Sequence, residues 1–187
     1  MLEVYARQLS LLLDGIRTRE SISRLSETDD LTGIWNRRYL RRVLAHEIER
    51  AVTFSLPLSL LLYDIDDFKQ INDTFGHGIG DVVLSELCAT VNHAIRPTDI
   101  HARLGGDEFV IVLPHSDLAG ARSVGDRLLA QIGAMTILTD EESAIRCSVS
   151  AGIVELRREG ETVDQLIRRA DDLMYASKRS GKNRYTA

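Results

Sequence analysis

The chain has 187 residues, 44% hydrophobic and 27% charged, the balance of a soluble globular domain with an extension. Its formal net charge of −5 excludes a surface built to attract nucleic-acid polymers or an anionic membrane, so any phosphate binding must come from local lysines and arginines. No apolar run approaches the ~18 residues of a membrane span, and no basic flank with an apolar stretch opens the chain, so a cytoplasmic location is expected.

Residues 1–28 read as a helix. Leu2, Tyr5, Leu9, Leu12 and Ile16 keep the alternating three-and-four spacing of a coiled-coil seam. A stripe so narrow, on a helix too short to be stable alone, predicts dimerisation; the alternative is a helix lying on the domain's own surface. Asp29 to Asn36 breaks this helix, and Asn36 is placed to cap another over about 37–53. Pro57 turns the chain into a strand, Leu58–Ile65, apolar enough to be central.

That strand ends in Asp64-Ile65-Asp66-Asp67-Phe68-Lys69. Alternation puts Asp64 and Asp66 on one face, and a carboxylate at the end of a buried strand is costly unless it is paired or holds a cation. The other role for Asp66 or Asp67 is to cap the short helix expected over 68–75. An EF-hand loop is excluded, because Phe68 stands where an oxygen ligand is needed. Gly76-His77-Gly78-Ile79-Gly80 reads as a glycine-rich turn without the ending of a Walker loop, and Asp81 opens a helix to about Ile95.

Arg96-Pro97-Thr98-Asp99 ends that helix. Arg103 to Leu113 then reads as two strands joined at Gly105-Gly106, a pair suited to a turn with φ > 0 at both central positions, with Asp107 and Glu108 directly after it. Ser116 or Asp117 caps a further helix, residues 134–144 form a polar connection, and 145–154 form a strand. Thr162 and Gln165 make a capping box for a last helix to about Arg179. Lys178, Arg179 and Lys182 suit the dipole at its end, whatever else they do. Cys88 and Cys147 lie in apolar patterns and read as buried thiols, and the five histidines have no metal-ligand spacing. The element order predicts an α/β (α+β) domain over 29–187, with the hairpin beside Leu58–Ile65 so that Asp64 and Asp107 converge.

Several motifs in fixed order now carry a resemblance. They are Asp29-x-Leu31-Thr32-Gly33-x-x-Asn36-Arg37; Asp64-Ile65-Asp66-x-Phe68-Lys69-x-x-Asn72-Asp73; Gly76-His77-x-x-Gly80-Asp81; Arg103-x-Gly105-Gly106-Asp107-Glu108-Phe109; Ser150-x-Gly152; and Met174-Tyr175-x-x-Lys178-x-x-Gly181-Lys182-Asn183. From Asp29 to Tyr185 the sequence resembles the GGDEF family, the diguanylate cyclases. The resemblance implies a central, mainly antiparallel five-stranded sheet wrapped by helices, related to the polymerase palm and the adenylyl cyclases.

It also implies a chemistry: two GTP condense into cyclic di-GMP and release pyrophosphate, with Mg2+ (or Mn2+) as the metal. By resemblance Asp64, the Ile65 carbonyl, Asp107 and Glu108 form the metal and catalytic set. Asn72 and Asp81 read guanine, whose N1 and N2 donors suit a carboxylate and whose O6 suits an amide. Phe68, Lys69, His77, Gly106, Lys178 and Lys182 complete the GTP site; lysine at 182 replaces a frequent arginine and keeps the charge but not the fork. Arg96 and Asp99, with Arg103 assisting, match the family's inhibitory site for cyclic di-GMP, the alternative being a helix-ending salt bridge. One such half-site holds one GTP, so a homodimer is expected. The rival reading is a catalytically silent cyclic di-GMP receptor, which the intact hairpin motif disfavours.

Overall fold

The eight residues of β2 (Leu58–Ile65) are buried without exception, as their continuous apolar run requires of a strand covered on both faces. The structure, a computed structural model, describes residues 27–138, 144–157 and 160–187. The N-terminal helix expected over 1–28 falls outside the described residues except for Glu27 and Thr28. These two join the domain: the Glu27 carbonyl accepts from Asn36 N–H at 2.8 Å, and Thr28 bridges Trp35.

In chain order the elements are β1 (Trp35–Asn36), α1 (Arg37–Phe54), β2, α2 (Phe68–Phe75), α3 (His77–Ala94), β3 (Ile100–Gly105) and β4 (Glu108–Pro114). They continue with α4 (Leu118–Ala134), β5 (Ile137–Leu138), β6 (Ala144–Ile145), β7 (Val149–Glu155), α5 (Val163–Arg179) and β8 (Arg184–Thr186). The main sheet has the order β1-β3-β4-β2-β7-β8. Its four long strands are antiparallel to their neighbours, while β1 and β8 add in parallel at the two edges. The sheet thus has six strands where the resemblance implied about five: the four long ones are those the sequence pattern shows, and the short edge strands β1 and β8 carry no alternation that such a pattern can register.

Alternation along β2 divides the core. Leu61, Tyr63 and Ile65 pack under α3 and α4; Leu58, Leu60 and Leu62 pack under α1 and α5. The caps are those the sequence predicts. Asn36 Oδ1 accepts from the N–H groups of Arg38 and Tyr39, Asp117 caps α4, and Thr162 with Gln165 closes a capping box on α5. Gly152 has a packing reason: a Cβ there would lie 2.0 Å from the Ala170 carbonyl oxygen, so α5 can cross β7 only over glycine.

Two local expectations change. The 76–80 stretch is not a turn throughout: Gly76, at φ +83°, makes the turn, and α3 already begins at His77. The glycines after it are tolerated because packing against α2 outweighs their poor helix propensity. In the hairpin, Gly105 pairs with Glu108 across a bulge, so the central residues are Gly106 and Asp107; both glycines have a positive φ, +150° at Gly105 and +57° at Gly106. Both cysteines are buried and free, and burial pushes the Cys88 thiol up to about 12.

Candidate active site

β2 and β4 end side by side, and their register sets Asp64 directly opposite Glu108. Asp107 occupies the turn between β3 and β4, and its carbonyl oxygen accepts from Ile65 N–H at 3.4 Å. Asp64, Ile65, Asp107 and Glu108 therefore meet at one end of the sheet.

Asp64 is only 5% exposed. Burial pushes its carboxyl up to about 6, and the nearby Asp107 and Glu108 add to the rise. Lys178, near the C-terminal end of α5, opposes it with its ammonium 2.7 Å from Asp64 Oδ1. Glu108 is also held above the ordinary range, by burial first and then by Asp171 and Asp107, against Lys178 and Arg37. This is a corner with more negative charge than its own lysine neutralises.

The loop after β2 is fixed from below by Asp66. Its carboxylate accepts from the hydroxyls of Ser148 and Ser150 and from the Asn183 N–H. Asp66 thus anchors the segment carrying Lys182 to the segment carrying Asp64, a role the spacing of Asp64 and Asp66 did not separate from cation binding. The alternating Ser148 and Ser150 were its sequence signal. Asp67 takes the N-cap position of α2 at φ +56° without capping through its side chain, which instead bonds Lys182 Nζ at 2.6 Å.

α2 and α3 form a helical hairpin beside this corner. Phe68 and Lys69 open α2, where the first N–H groups of a helix have no acceptor within it. Asn72 lies half-buried one turn on, and His77 and Asp81 are exposed in the first turns of α3. Gly80 makes their approach possible: a Cβ on it would lie 1.9 Å from Asn72 Oδ1. Gly80 thus lets the Asn72 amide sit against the α3 backbone one residue before Asp81.

Arg96 and Asp99 meet in the loop between α3 and β3. Arg96 N–H donates to Asp99 Oδ2 at 2.8 Å, and Asp99 N–H donates to the Arg96 carbonyl at 3.0 Å. Asp99 Oδ1 is buried without a hydrogen-bond partner, and burial raises its pKa. Both residues line a cavity of about 380 Å3 together with Trp35, Asn92 and His101. Arg127 on α4, which the sequence did not single out, also acts on Asp99 and donates to the Ala94 carbonyl at 2.6 Å.

Arg103, expected to assist Arg96 and Asp99, is committed elsewhere. Its guanidinium donates to the Gly106 carbonyl at 2.7 and 2.9 Å and to Asp29 Oδ1 at 2.9 Å. Asp29 Oδ1 also accepts from the Thr32 N–H and hydroxyl. Burial would raise Asp29, but Thr32 and Arg103 outweigh it and hold the carboxyl below its ordinary value. Arg103 therefore braces the acidic turn against the Asp29-x-Leu31-Thr32 segment. The salt bridge joins residues 74 positions apart, which no local pattern reveals.

A family model described as "Diguanylate cyclase, GGDEF domain" matches residues 26–184. The chain belongs to the GGDEF family. It is 39% identical over 160 residues to the response regulator PleD of Caulobacter vibrioides, covering 85% of this chain and 35% of that protein. It is 33% identical over 192 residues to the diguanylate cyclase DgcM of Escherichia coli K12, covering all of this chain and 45% of that one. The chain thus spans less than half the length of these curated relatives.

Among solved structures, this GGDEF domain superposes with a TM-score of 0.82 on the diguanylate cyclase SiaD of Pseudomonas aeruginosa, determined with its activator SiaC. The identity is 33%, over 97% of this chain and 74% of that one. It superposes at 0.81 on the GGDEF domain of DgcB from Caulobacter crescentus in complex with c-di-GMP, at 30% identity over 86% of this chain and 92% of that one. None of the described helices is long and apolar enough to cross a membrane.

The donor set suits a divalent cation. Asp64 and Asp107 offer carboxylates and Ile65 a carbonyl, hard oxygen ligands of the kind magnesium takes. Among the described residues no three acidic, imidazole or thiol side chains are already drawn around one point. Instead the Lys178 ammonium stands as the cation on Asp64.

Proposed function

We propose that this GGDEF domain is a diguanylate cyclase that condenses two GTP into cyclic di-GMP and two pyrophosphates. The observation that carries the reading is the meeting of Asp64, Asp107 and Glu108 at the end of β2 and β4, with Lys178 bound to the most buried of them. In each step a ribose 3′-hydroxyl of one GTP attacks the α-phosphorus of the other. A new P–O bond forms, the α–β bridging bond breaks, and pyrophosphate leaves; the second, reciprocal attack closes the ring. Such a reaction requires alignment and charge neutralisation more than covalent help from the protein.

Asp64, the Ile65 carbonyl and Asp107 would hold Mg2+ (or Mn2+), which when bound neutralises triphosphate charge and acidifies the attacking hydroxyl. Lys178 then transfers its charge from Asp64 to the phosphates, joined by Lys182. The N–H groups of Phe68 and Lys69 at the start of α2, with the Lys69 ammonium, approach the same phosphates, and His77 and Gly106 border the nucleotide. Glu108, with its raised pKa, takes part in receiving the hydroxyl proton or in metal binding. Asp81 accepts from guanine N1 and N2 while Asn72 meets O6; adenine would turn an acceptor toward Asp81 and lose affinity. The test is incubation with GTP or ATP and magnesium: cyclic di-GMP should form from GTP, with no corresponding product from ATP.

Gly80→Ala is expected to push the Asn72 amide out of place, raising KM for GTP at least tenfold with a smaller change in kcat. Steady-state kinetics measures that split. The reaction also requires two half-sites face to face, and we assign residues 1–28 to bringing two copies of the chain together. Without residues 1–25, the rate per molecule should fall steeply on dilution; a truncated protein that stays fully active when dilute contradicts the assignment.

Product feedback is the second part of the proposal. The buried, unpartnered Asp99 Oδ1 suits the N–H donors of a guanine, and Arg96 suits a phosphodiester or the Hoogsteen edge. Arg127 stands beside them; Arg103 is occupied by the hairpin. Arg96→Ala is expected to raise the cyclic di-GMP concentration for half-inhibition at least tenfold, read from initial rates at several product concentrations.

A further inference from the structure

Beneath the active-site corner lies a buried polar chain that the reaction does not use. Tyr63, which precedes Asp64, is fully buried, and its hydroxyl lies 2.7 Å from His101 Nε2. His101 is 4% exposed, and its Nδ1 lies 2.8 Å from Asn92 Oδ1. Phe109, which follows Glu108, completes the cluster, its ring 5.2 Å from Tyr63 and 6.0 Å from His101. The far end opens on the Arg96–Asp99 cavity, whose lining includes both Asn92 and His101. One short chain of hydrogen bonds therefore runs from that cavity to the strand residue beside Asp64.

We propose that His101 is a positioning residue that couples occupancy of the Arg96–Asp99 cavity to the setting of Asp64 and Glu108 through Tyr63 and Asn92. This rests on reading the cavity as the cyclic di-GMP site. The network admits two arrangements. Burial lowers the His101 pKa to about 3, so the imidazole stays neutral and must donate from one nitrogen and accept at the other. In one state Tyr63 Oη donates to Nε2 and Nδ1–H donates to Asn92 Oδ1. In the other Nε2–H donates to Tyr63 Oη, and Nδ1 accepts from the Asn92 amide after it turns over. A ligand that engages the exposed side of Asn92 favours one orientation of that amide, and with it one tautomer and one direction of the Tyr63 hydroxyl. The network thus supplies the two-state element that coupling between separate sites requires.

The test compares wild type, Tyr63→Phe and Asn92→Ala. Tyr63→Phe keeps the ring that fills the core, and Asn92→Ala cuts the chain at its exposed end, so a folding defect in one leaves the other. Two quantities are read: the inhibition constant of cyclic di-GMP divided by its dissociation constant, which does not depend on the basal rate, and the Asp64 amide resonance as cyclic di-GMP is added without metal or GTP. In the wild type the ratio should be near one and the Asp64 resonance should move on saturation. In each variant the ratio should rise at least tenfold and the movement should fall to less than a third. An unchanged ratio with an unchanged Asp64 movement overturns the coupling while leaving the cyclase reading intact. Absence of any cyclic di-GMP binding in the wild type overturns it together with the cavity assignment. Binding and coupling in a protein that makes no product from GTP would support the coupling and overturn the cyclase reading alone.

Discussion

Asp107→Ala is expected to lower cyclic di-GMP formation by about a thousandfold or more while the melting temperature moves by no more than about 2 °C. The two effects separate because Asp107 contributes to the fold through its backbone, whereas the role proposed for it in the reaction belongs to its side chain. Its carbonyl receives the Ile65 N–H, and Arg103 holds the turn through the Gly106 carbonyl; neither contact involves the Asp107 carboxylate. On the proposed reading, removing that carboxylate would take away a metal ligand at the place where negative charge must be neutralised for the α-phosphorus to be attacked. Thermal unfolding beside product chromatography measures both. A variant that loses activity only in proportion to lost folded protein would contradict the assignment.

Asp64→Asn should do two opposite things: abolish turnover and stabilise the metal-free protein. The unfolded carboxyl titrates near 3.8 and the folded one at about 6, so between those values the folded state binds more protons. Stability from this group therefore falls as pH rises from about 4 to 6, and the deficit persists above. The gap corresponds to a gain for the variant that is near zero at pH 4 and on the order of 2–3 kcal/mol at pH 7. The Lys178 ammonium, 32% exposed, already pulls the folded carboxyl down to its value of about 6, so the loss of its pairing is contained in this gap. Magnesium should stabilise the wild type and not the variant. Denaturant unfolding at several pH values, with and without magnesium, reads all three effects. A variant less stable than the wild type at pH 7 without metal would show that Asp64 is not a strained, charge-crowded group.

The parts of the fold legible in the sequence are those fixed by local chemistry. The run Leu58–Ile65 is apolar on both faces, and it is the central strand. Asn36, Asp117 and the Thr162–Gln165 pair are caps because short polar side chains at those points satisfy the open N–H groups of a helix. Adjacency of the hairpin and the central strand also followed from the pattern, and with it the meeting of Asp64 and the acidic turn. What local chemistry could not supply was long-range pairing. Arg103 was expected by resemblance to assist Arg96 and Asp99, and it bonds Asp29 across the fold. Asp66 looked equivalent to Asp64 by alternation, yet two serines and a backbone N–H from distant segments claim it. His77 looked like part of a turn because glycines surround it, yet the helix begins there, and the packing of α2 against α3, with Gly80 facing Asn72, is not visible in the local pattern.

Cyclase activity is measured on protein treated with a cyclic di-GMP phosphodiesterase and then freed of that enzyme, so that no carried product arrests it. Wild type and Asp107→Ala are incubated with GTP and magnesium, and nucleotides and pyrophosphate are quantified over time. The wild type should form one cyclic di-GMP and two pyrophosphates for every two GTP consumed, and the variant no product above background. Tight binding of cyclic di-GMP by a wild-type protein that leaves GTP intact would contradict the cyclase reading and identify a receptor instead.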